Sequence, residues 1–137
     1  MPKTIQQSVT LSAKAERLFD MYLDPEIHAA FTGAPVAIRS DPGSEFRAFD
    51  GMLSGQMLYT VPKRLIVQSW RAKHWSPEDL DSILVLSFWP EGNSGRIDLV
   101  HVNVADHDFQ GVNEGWEKYY WKPWQEYLKR GMDLENK

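Results

Sequence analysis

Residues 4–11 (Thr-Ile-Gln-Gln-Ser-Val-Thr-Leu) alternate polar with apolar and are rich in β-branched side chains, the period of a strand with one buried face. Past Ser12, a candidate helix N-cap, the period lengthens. Ala15, Leu18, Phe19, Tyr22 and Leu23 follow helical spacing, which predicts a helix over 13–23. Asp24-Pro25 restarts the chain as N-cap and first-turn proline of a second short helix through Ala30, with Gly33 as its C-cap. From 34 to 104 the text is strand-like. Val36-Ala37-Ile38-Arg39 reads as a strand and Asp41-Pro42-Gly43-Ser44 as a turn, and further strands are expected at 45–49, 53–61, 64–72, 80–89 and 95–104. Asp50-Gly51, Pro62-Lys63, Ser76-Pro77-Glu78-Asp79 and Glu91-Gly92-Asn93 separate them, and connections this short predict a meander of antiparallel hairpins. The block 111–130 is helical, Gly131 closes it, and 132–137 is a polar tail.

The expected order is therefore β-αα-β(×6)-α, an α+β fold. A twisted antiparallel sheet of about seven strands tends to curl, leaving one long helix to cover its concave face. At 100° per residue, Trp116, Tyr119, Tyr120, Pro123, Trp124 and Tyr127 share one broad face of that helix, with Trp121 and Leu128 on its flank. A face made of so many rings either fills a core or roofs a cavity, and spacing alone does not choose between them.

Composition narrows the function classes. A length of 137 residues predicts a single domain, 1–137, with its core over about 4–130. There is no cysteine to staple it, which fits a reducing compartment. The amino terminus lacks the apolar run of a signal peptide, and no stretch approaches the roughly 18–20 apolar residues that span a bilayer, so a cytoplasmic protein without a membrane span is expected. Net charge is −4 and the basic residues are scattered, which argues against nucleic acid as a partner. Six tryptophans are the unusual number. Trp70 and Trp75 lie close together, and Trp116, Trp121 and Trp124 share the last helix.

The ordered motifs carry a resemblance. Ala30-Phe31-Thr32, Ala34-Pro35, Asp41-x-Gly43-x-x-Phe46, Gly51, Ser54-Gly55, Pro62, Ile66-Val67, Trp70-Arg71, Trp75, the strand ending at His101, and Gly115-Trp116-x-x-Tyr119-Tyr120 together resemble the activator of heat-shock protein 90 ATPase homologue family, over roughly residues 4–130. The similarity is to the carboxy-terminal domain of the eukaryotic co-chaperone and, more distantly, to the START-like superfamily of lipid carriers, polyketide cyclases and plant allergens. It implies a helix-grip fold with a pocket between sheet and long helix, but fold does not deliver a single function. Two departures stand out. The co-chaperone's separate amino-terminal domain has no counterpart in these residues, and the usual Gly-Gly before the Phe46 strand is Gly43-Ser44 here.

Catalytic signatures are absent. The chain lacks a cysteine nucleophile, a His-Glu-x-x-His, a phosphate-cradling glycine loop and a His/Asp cluster at metal spacing, so no cofactor, metal or catalytic group is expected. Asp106-His107-Asp108 reads as a solvated loop, Asp24-x-Glu26-x-His28 as helix capping, and His74 as exposed. In Ile97-Asp98-Leu99-Val100-His101, positions 97, 99 and 101 share a face, which turns His101 towards the helix. Two readings stay open for it: a satisfied core histidine, or a polar handle at a pocket wall that would act as acid or base in a cyclase-like member.

Tyr59, Tyr119, Tyr120, Tyr127, Trp70, Trp116 and Trp124 all carry an O–H or N–H that wants a partner when buried, which suits a partly wet cavity better than a dry core. Met52 and Met57 offer adaptable packing around such a space. The expected ligand site has Phe46, Met57, Tyr59, Trp70, Leu84, Leu86, Phe88, Leu99 and His101 on the sheet wall. Trp116, Tyr120 and Trp124 form the helix wall, and Phe31 closes the entrance. Non-catalytic binding of a small hydrophobic or aromatic molecule is the leading expectation. The second is an interaction module, as a homodimer or a partner of a heat-shock protein 90 type chaperone, using Trp75, Trp121 and Leu128 as contacts. The third is a cyclase-like enzyme using His101.

Overall fold

The computed structural model describes residues 1–135, with side chains as far as Gly131. Strand β1 (Lys3–Leu11) is followed by helices α1 (Ala15–Leu23) and α2 (Pro25–Thr32). Strands β2 (Glu45–Ala48), β3 (Leu53–Val61), β4 (Leu65–Ala72), β5 (Ser82–Glu91) and β6 (Ser94–Val104) come next. One tight turn, Asp106–Asp108, leads into a continuous C-terminal helix made of α3 (Phe109–Trp116), a π-helical turn (Glu117–Trp121) and α4 (Lys122–Glu135). All strand pairs are antiparallel, in the spatial order β1-β6-β5-β4-β3-β2. This is the α+β helix-grip arrangement, with a curved sheet on one side and the long helix in its concavity.

Alternation along the central strands builds the core. Ile66, Gln68, Trp70 and Ala72 of β4, Leu84, Leu86 and Phe88 of β5, and Ile97, Leu99 and His101 of β6 all turn inward and are buried. Register places Gln68 beside Leu84 and Leu84 beside His101, so the inward polar groups fall in one row of the sheet. Each large apolar side chain removed from water contributes roughly 1.5–3 kcal/mol.

Several local expectations hold, and several are corrected. Asp24 caps α2, its carboxylate accepting from the Glu26 and Ile27 amides at 2.9 and 3.2 Å, and Gly33 ends that helix in the left-handed region. Ser12 does not cap α1; it clamps the C-terminal helix, donating its amide to Gln125 Oε1 and accepting from Gln125 Nε2. The sheet has six strands, since segment 36–39 contributes only one bridge, between Ala37 and Arg47. Pro35 lacks an N–H on one side, and β2 offers only four residues to pair with. Gly131 does not stop the last helix, which runs on to Glu135; positions 136–137 of the expected polar tail lie outside the described residues.

Two features shape the concave face. In β3 the register slips between Met57 and Tyr59, so two steps on β3 match one on β4: Met57 faces Gln68 and Tyr59 faces Val67. This bulge keeps Met57 inward and turns Tyr59 out to solvent, 57% exposed, against the expectation that both line the interior. In the C-terminal helix the buried positions Val112, Trp116, Tyr120, Trp124 and Leu128 are four apart. On a pure α-helix that spacing drifts by about 40° per step. The wide π turn absorbs the drift and brings Trp121 inside as well. It lies immediately before Pro123, whose ring would otherwise press on the carbonyl one turn back.

Candidate functional site

The concavity is filled at one end and open at the other. Beneath α4, Phe31 stacks on Trp124 with ring centroids 4.4 Å apart, and His28 stacks on Phe31 at 5.1 Å. Beneath α3 a cavity of about 400 Å³ remains, within the range of small-molecule sites. The reason is local. Gly111 and Gly115, one helical turn apart, face this space and put no side chain into it. A Cβ on Gly115 would meet only the Tyr119 ring, at 3.5 Å.

Leu53 of β3 and Trp70 and Ala72 of β4 form the sheet wall of the cavity. Val112, Trp116, Tyr119 and Tyr120 form the helix wall. Phe49 and Met52 come from the β2–β3 connection, where Phe49, Asp50 and Gly51 are all left-handed, with φ of 51°, 55° and 89°. For phenylalanine that conformation costs about 1–2 kcal/mol. It sets the ring edge-on to Tyr119 and Tyr120, at 5.8 and 5.9 Å.

Polar side chains on the lining are few. Trp70 is 5% exposed, and its indole N–H has no hydrogen-bond partner. An unpaired buried donor of this kind costs about 1–3 kcal/mol. At the rim, Asp108 Oδ2 accepts from Trp75 Nε1 at 2.8 Å and pairs with His74 Nε2 at 3.0 Å. Trp124 Nε1 is likewise unpaired, but Trp124 lies in the filled end and does not line this cavity.

His101 sits behind this wall. Trp116 Nε1 donates to its Nδ1 at 3.2 Å; its Nε2 meets Ser82 Oγ at 2.8 Å, and Ser82 in turn donates to the Trp70 carbonyl. That chain fixes a neutral ring with its proton on Nε2. Burial pushes its pKa down to about 3. With both nitrogens engaged and no place on the cavity lining, His101 is a satisfied core histidine, and the geometry gives it no free proton-transfer partner. His28 is its counterpart at the filled end. Its Nδ1 donates to the Tyr22 carbonyl at 2.8 Å and its Nε2 accepts from Tyr120 Oη at 3.0 Å, while burial lowers its pKa to about 4. Reading the Asp24-Glu26-His28 stretch as capping alone missed this inward turn of the helix.

Of the expected site residues, Trp70, Trp116 and Tyr120 line the cavity. Phe31, Phe46, Met57, Leu84, Leu86, Phe88, Leu99 and Trp124 lie in the packed core, and Tyr59 faces outward. The residues expected to be exposed contacts are buried: Trp75 is held by Asp108, Trp121 Nε1 donates to Gln7 Oε1 at 2.8 Å, and Leu128 is carried inward by the π turn. Phe49, Leu53, Asp108, Gly111 and Val112 were not anticipated; the four-residue glycine spacing on the aromatic helix was the available signal. Among the described residues no group of His, Asp and Glu is placed to hold a metal ion, and no helix is long and apolar enough to cross a membrane.

Comparison with known proteins now bears on this geometry. The family model described as "Activator of Hsp90 ATPase homolog 1-like protein" matches residues 12–129. The chain belongs to this family. Among relatives of the Hsp90-activator homologue type, "Activator of 90 kDa heat shock protein ATPase homolog 1" of Homo sapiens is 28% identical over 113 residues, covering 82% of this chain and 33% of the human protein. An uncharacterized protein of Schizosaccharomyces pombe is 34% identical over 119 residues, covering 87% of this chain and 35% of its own length. The chain thus spans about a third of the curated relatives it matches. Two solved structures share the fold: an HSP90 activator from Plasmodium falciparum (TM-score 0.84, 18% identity, 93% of this chain and 96% of that one) and a protein from Mesorhizobium loti (TM-score 0.80, 17% identity, 93% and 98%).

Proposed function

We propose that this member of the Hsp90-activator homologue family binds a small, largely aromatic molecule in the cavity between β3–β4 and α3. One observation carries the reading: a space of about 400 Å³, walled by Phe49, Trp70, Trp116, Tyr119 and Tyr120, is left open where Gly111 and Gly115 put no side chain into it. A core that only needed filling would place a leucine or methionine where Gly111 and Gly115 stand. His101, with both ring nitrogens engaged, is not free to act as the acid or base of a cyclase-like reaction.

The test uses a neutral, polarity-sensitive naphthyl ketone fluorophore, prodan, titrated with the purified chain. Saturable enhancement and a blue shift are expected with the wild type, and their loss with Gly115→Leu, which fills the cavity from the helix side. Enhancement that is absent, or unchanged in Gly115→Leu, refutes the reading.

A second reading, action on a heat-shock protein 90 type chaperone, draws support from the relatives' names and from the exposed apolar side chains Met52, Leu58, Tyr59 and Leu80. Stimulation of a chaperone's ATPase by the purified chain is its assay, and an unchanged rate with no complex on size exclusion counts against it.

A further inference from the structure

The cavity has a chemical direction. Its open end carries a carboxylate, since Asp108 and the half-exposed His74 stand at the rim. Asp108 occupies the N-cap position of α3, where an aspartate ordinarily accepts from the first-turn amides, yet its side chain makes no capping bond. Both of its hydrogen bonds fall on Oδ2. Oδ1 accepts nothing from the described residues and stands beside Gly111, within 2.9 Å of where a Cβ would be. Asp108 is also the only lining residue with a fixed formal charge.

A fatty acid or other carboxylate would bring its charge against Asp108 and would leave apolar chain against a ring-lined wall. An amine would meet a free carboxylate oxygen with aromatic faces around it, a surrounding that favours cations. The protein's own Lys118 already rests 5.2 Å over the Tyr119 ring. We propose that the cavity selects a flat aromatic molecule whose protonated amine meets Asp108, and that it excludes carboxylic acids. This selectivity rests on the cavity being a ligand site at all.

Four matched probes separate the two propositions: ethylnaphthalene, a methyl naphthyl ketone, that ketone with an aminomethyl group on the far ring, and that ketone with a carboxylate in the same place. Tryptophan fluorescence of the full chain reports binding at neutral pH. The amino-ketone should bind tightest and the acid weakest, with the two uncharged probes between them and the amine about tenfold tighter than the plain ketone, a typical gain for one charged hydrogen bond. In Asp108→Asn, which keeps an oxygen for Trp75, the amine advantage should vanish while ketone affinity stays. His74→Ala, at an exposed position, should strengthen the amine by removing the imidazole that competes for Asp108, while Trp75 keeps its bond to Oδ2. Equal binding of all four probes, or an acid as tight as the amine, overturns the selectivity and leaves the site standing. No binding by any probe overturns both.

Discussion

Acidification from pH 7.5 to pH 5 should strip this domain of several kcal/mol of stability, through two buried histidines. In the folded chain His28 and His101 titrate near 4 and near 3 because burial disfavours their charged forms. Both rings also have both nitrogens engaged while neutral. In the unfolded chain each returns to about 6.5. Above that value neither state holds the proton and the histidines contribute no pH dependence. Between about 6.5 and the native values only the unfolded chain takes up the proton, so stability falls as pH falls. At pH 5 the unfolded histidine lies 1.5 units below its pKa, which amounts to about 2 kcal/mol for each ring, or about 4 kcal/mol together. The size at this pH depends on the unfolded value and hardly on whether the native pKa is 3 or 4. Domains of this kind have only about 5–15 kcal/mol to lose. His107, raised by its hydrogen bond to Asp79, works in the opposite direction, but from the solvent-exposed surface. Urea midpoints at the two pH values measure the loss, and His28→Gln and His101→Gln should each shrink the pH-dependent part by about 2 kcal/mol, whatever they do to stability at pH 7.5. A wild-type midpoint unchanged at pH 5, or a double variant that keeps the full drop, refutes the assignment.

Gly115→Ala should raise stability by roughly 0.5–1 kcal/mol through helix propensity, because its Cβ meets Tyr119 at ordinary contact distance, and yet weaken prodan binding by narrowing the cavity. Opposite movements of the melting temperature and the affinity support the claim that the glycine is kept for space; a fall in both refutes it. Gly55→Ala should be severely destabilising, by about 4 kcal/mol or more, since a Cβ there would stand 1.9 Å from the Ser69 carbonyl oxygen of the neighbouring strand. Retention of the wild-type urea midpoint would sink that packing argument.

The fold was readable where one signal dominated. Period-two alternation in β4, β5 and β6, and the Asp24-Pro25 restart with Gly33, each pointed to one structure, and the ordered motifs supplied the architecture. The candidate site was readable only in part, because its position depends on effects that add or remove one residue. A bulge after Met57 reversed Tyr59, and a π turn before Pro123 drew Trp121 and Leu128 inside; neither leaves a period that can be counted in advance. Polar-tipped rings suggested a wet pocket, yet Tyr22, His28, Gln68 and Tyr120 satisfy one another within the core. Of the rings counted, Trp70, Trp116 and Tyr120 line the cavity, while Phe31, Phe46, Phe88 and Trp124 pack the core. The glycines, which contribute no ring and no charge, decide where the cavity opens.

The pairing of β1 with β6 also sets how this chain reaches its structure. Ile5 lies opposite His101, and Gln7 is held by Asn113 and Trp121, so the first strand finds its neighbours only after β6 and the start of the C-terminal helix have been made. On the ribosome, β2 to β5 can pair hairpin by hairpin as they emerge, while β1 waits with an unsatisfied edge. Topologies dominated by such distant contacts fold in milliseconds to seconds rather than microseconds. The aromatic helix, which follows β6 in the chain, then adds the polar clamp on Gln7 and Ser12 and the rings that close the core.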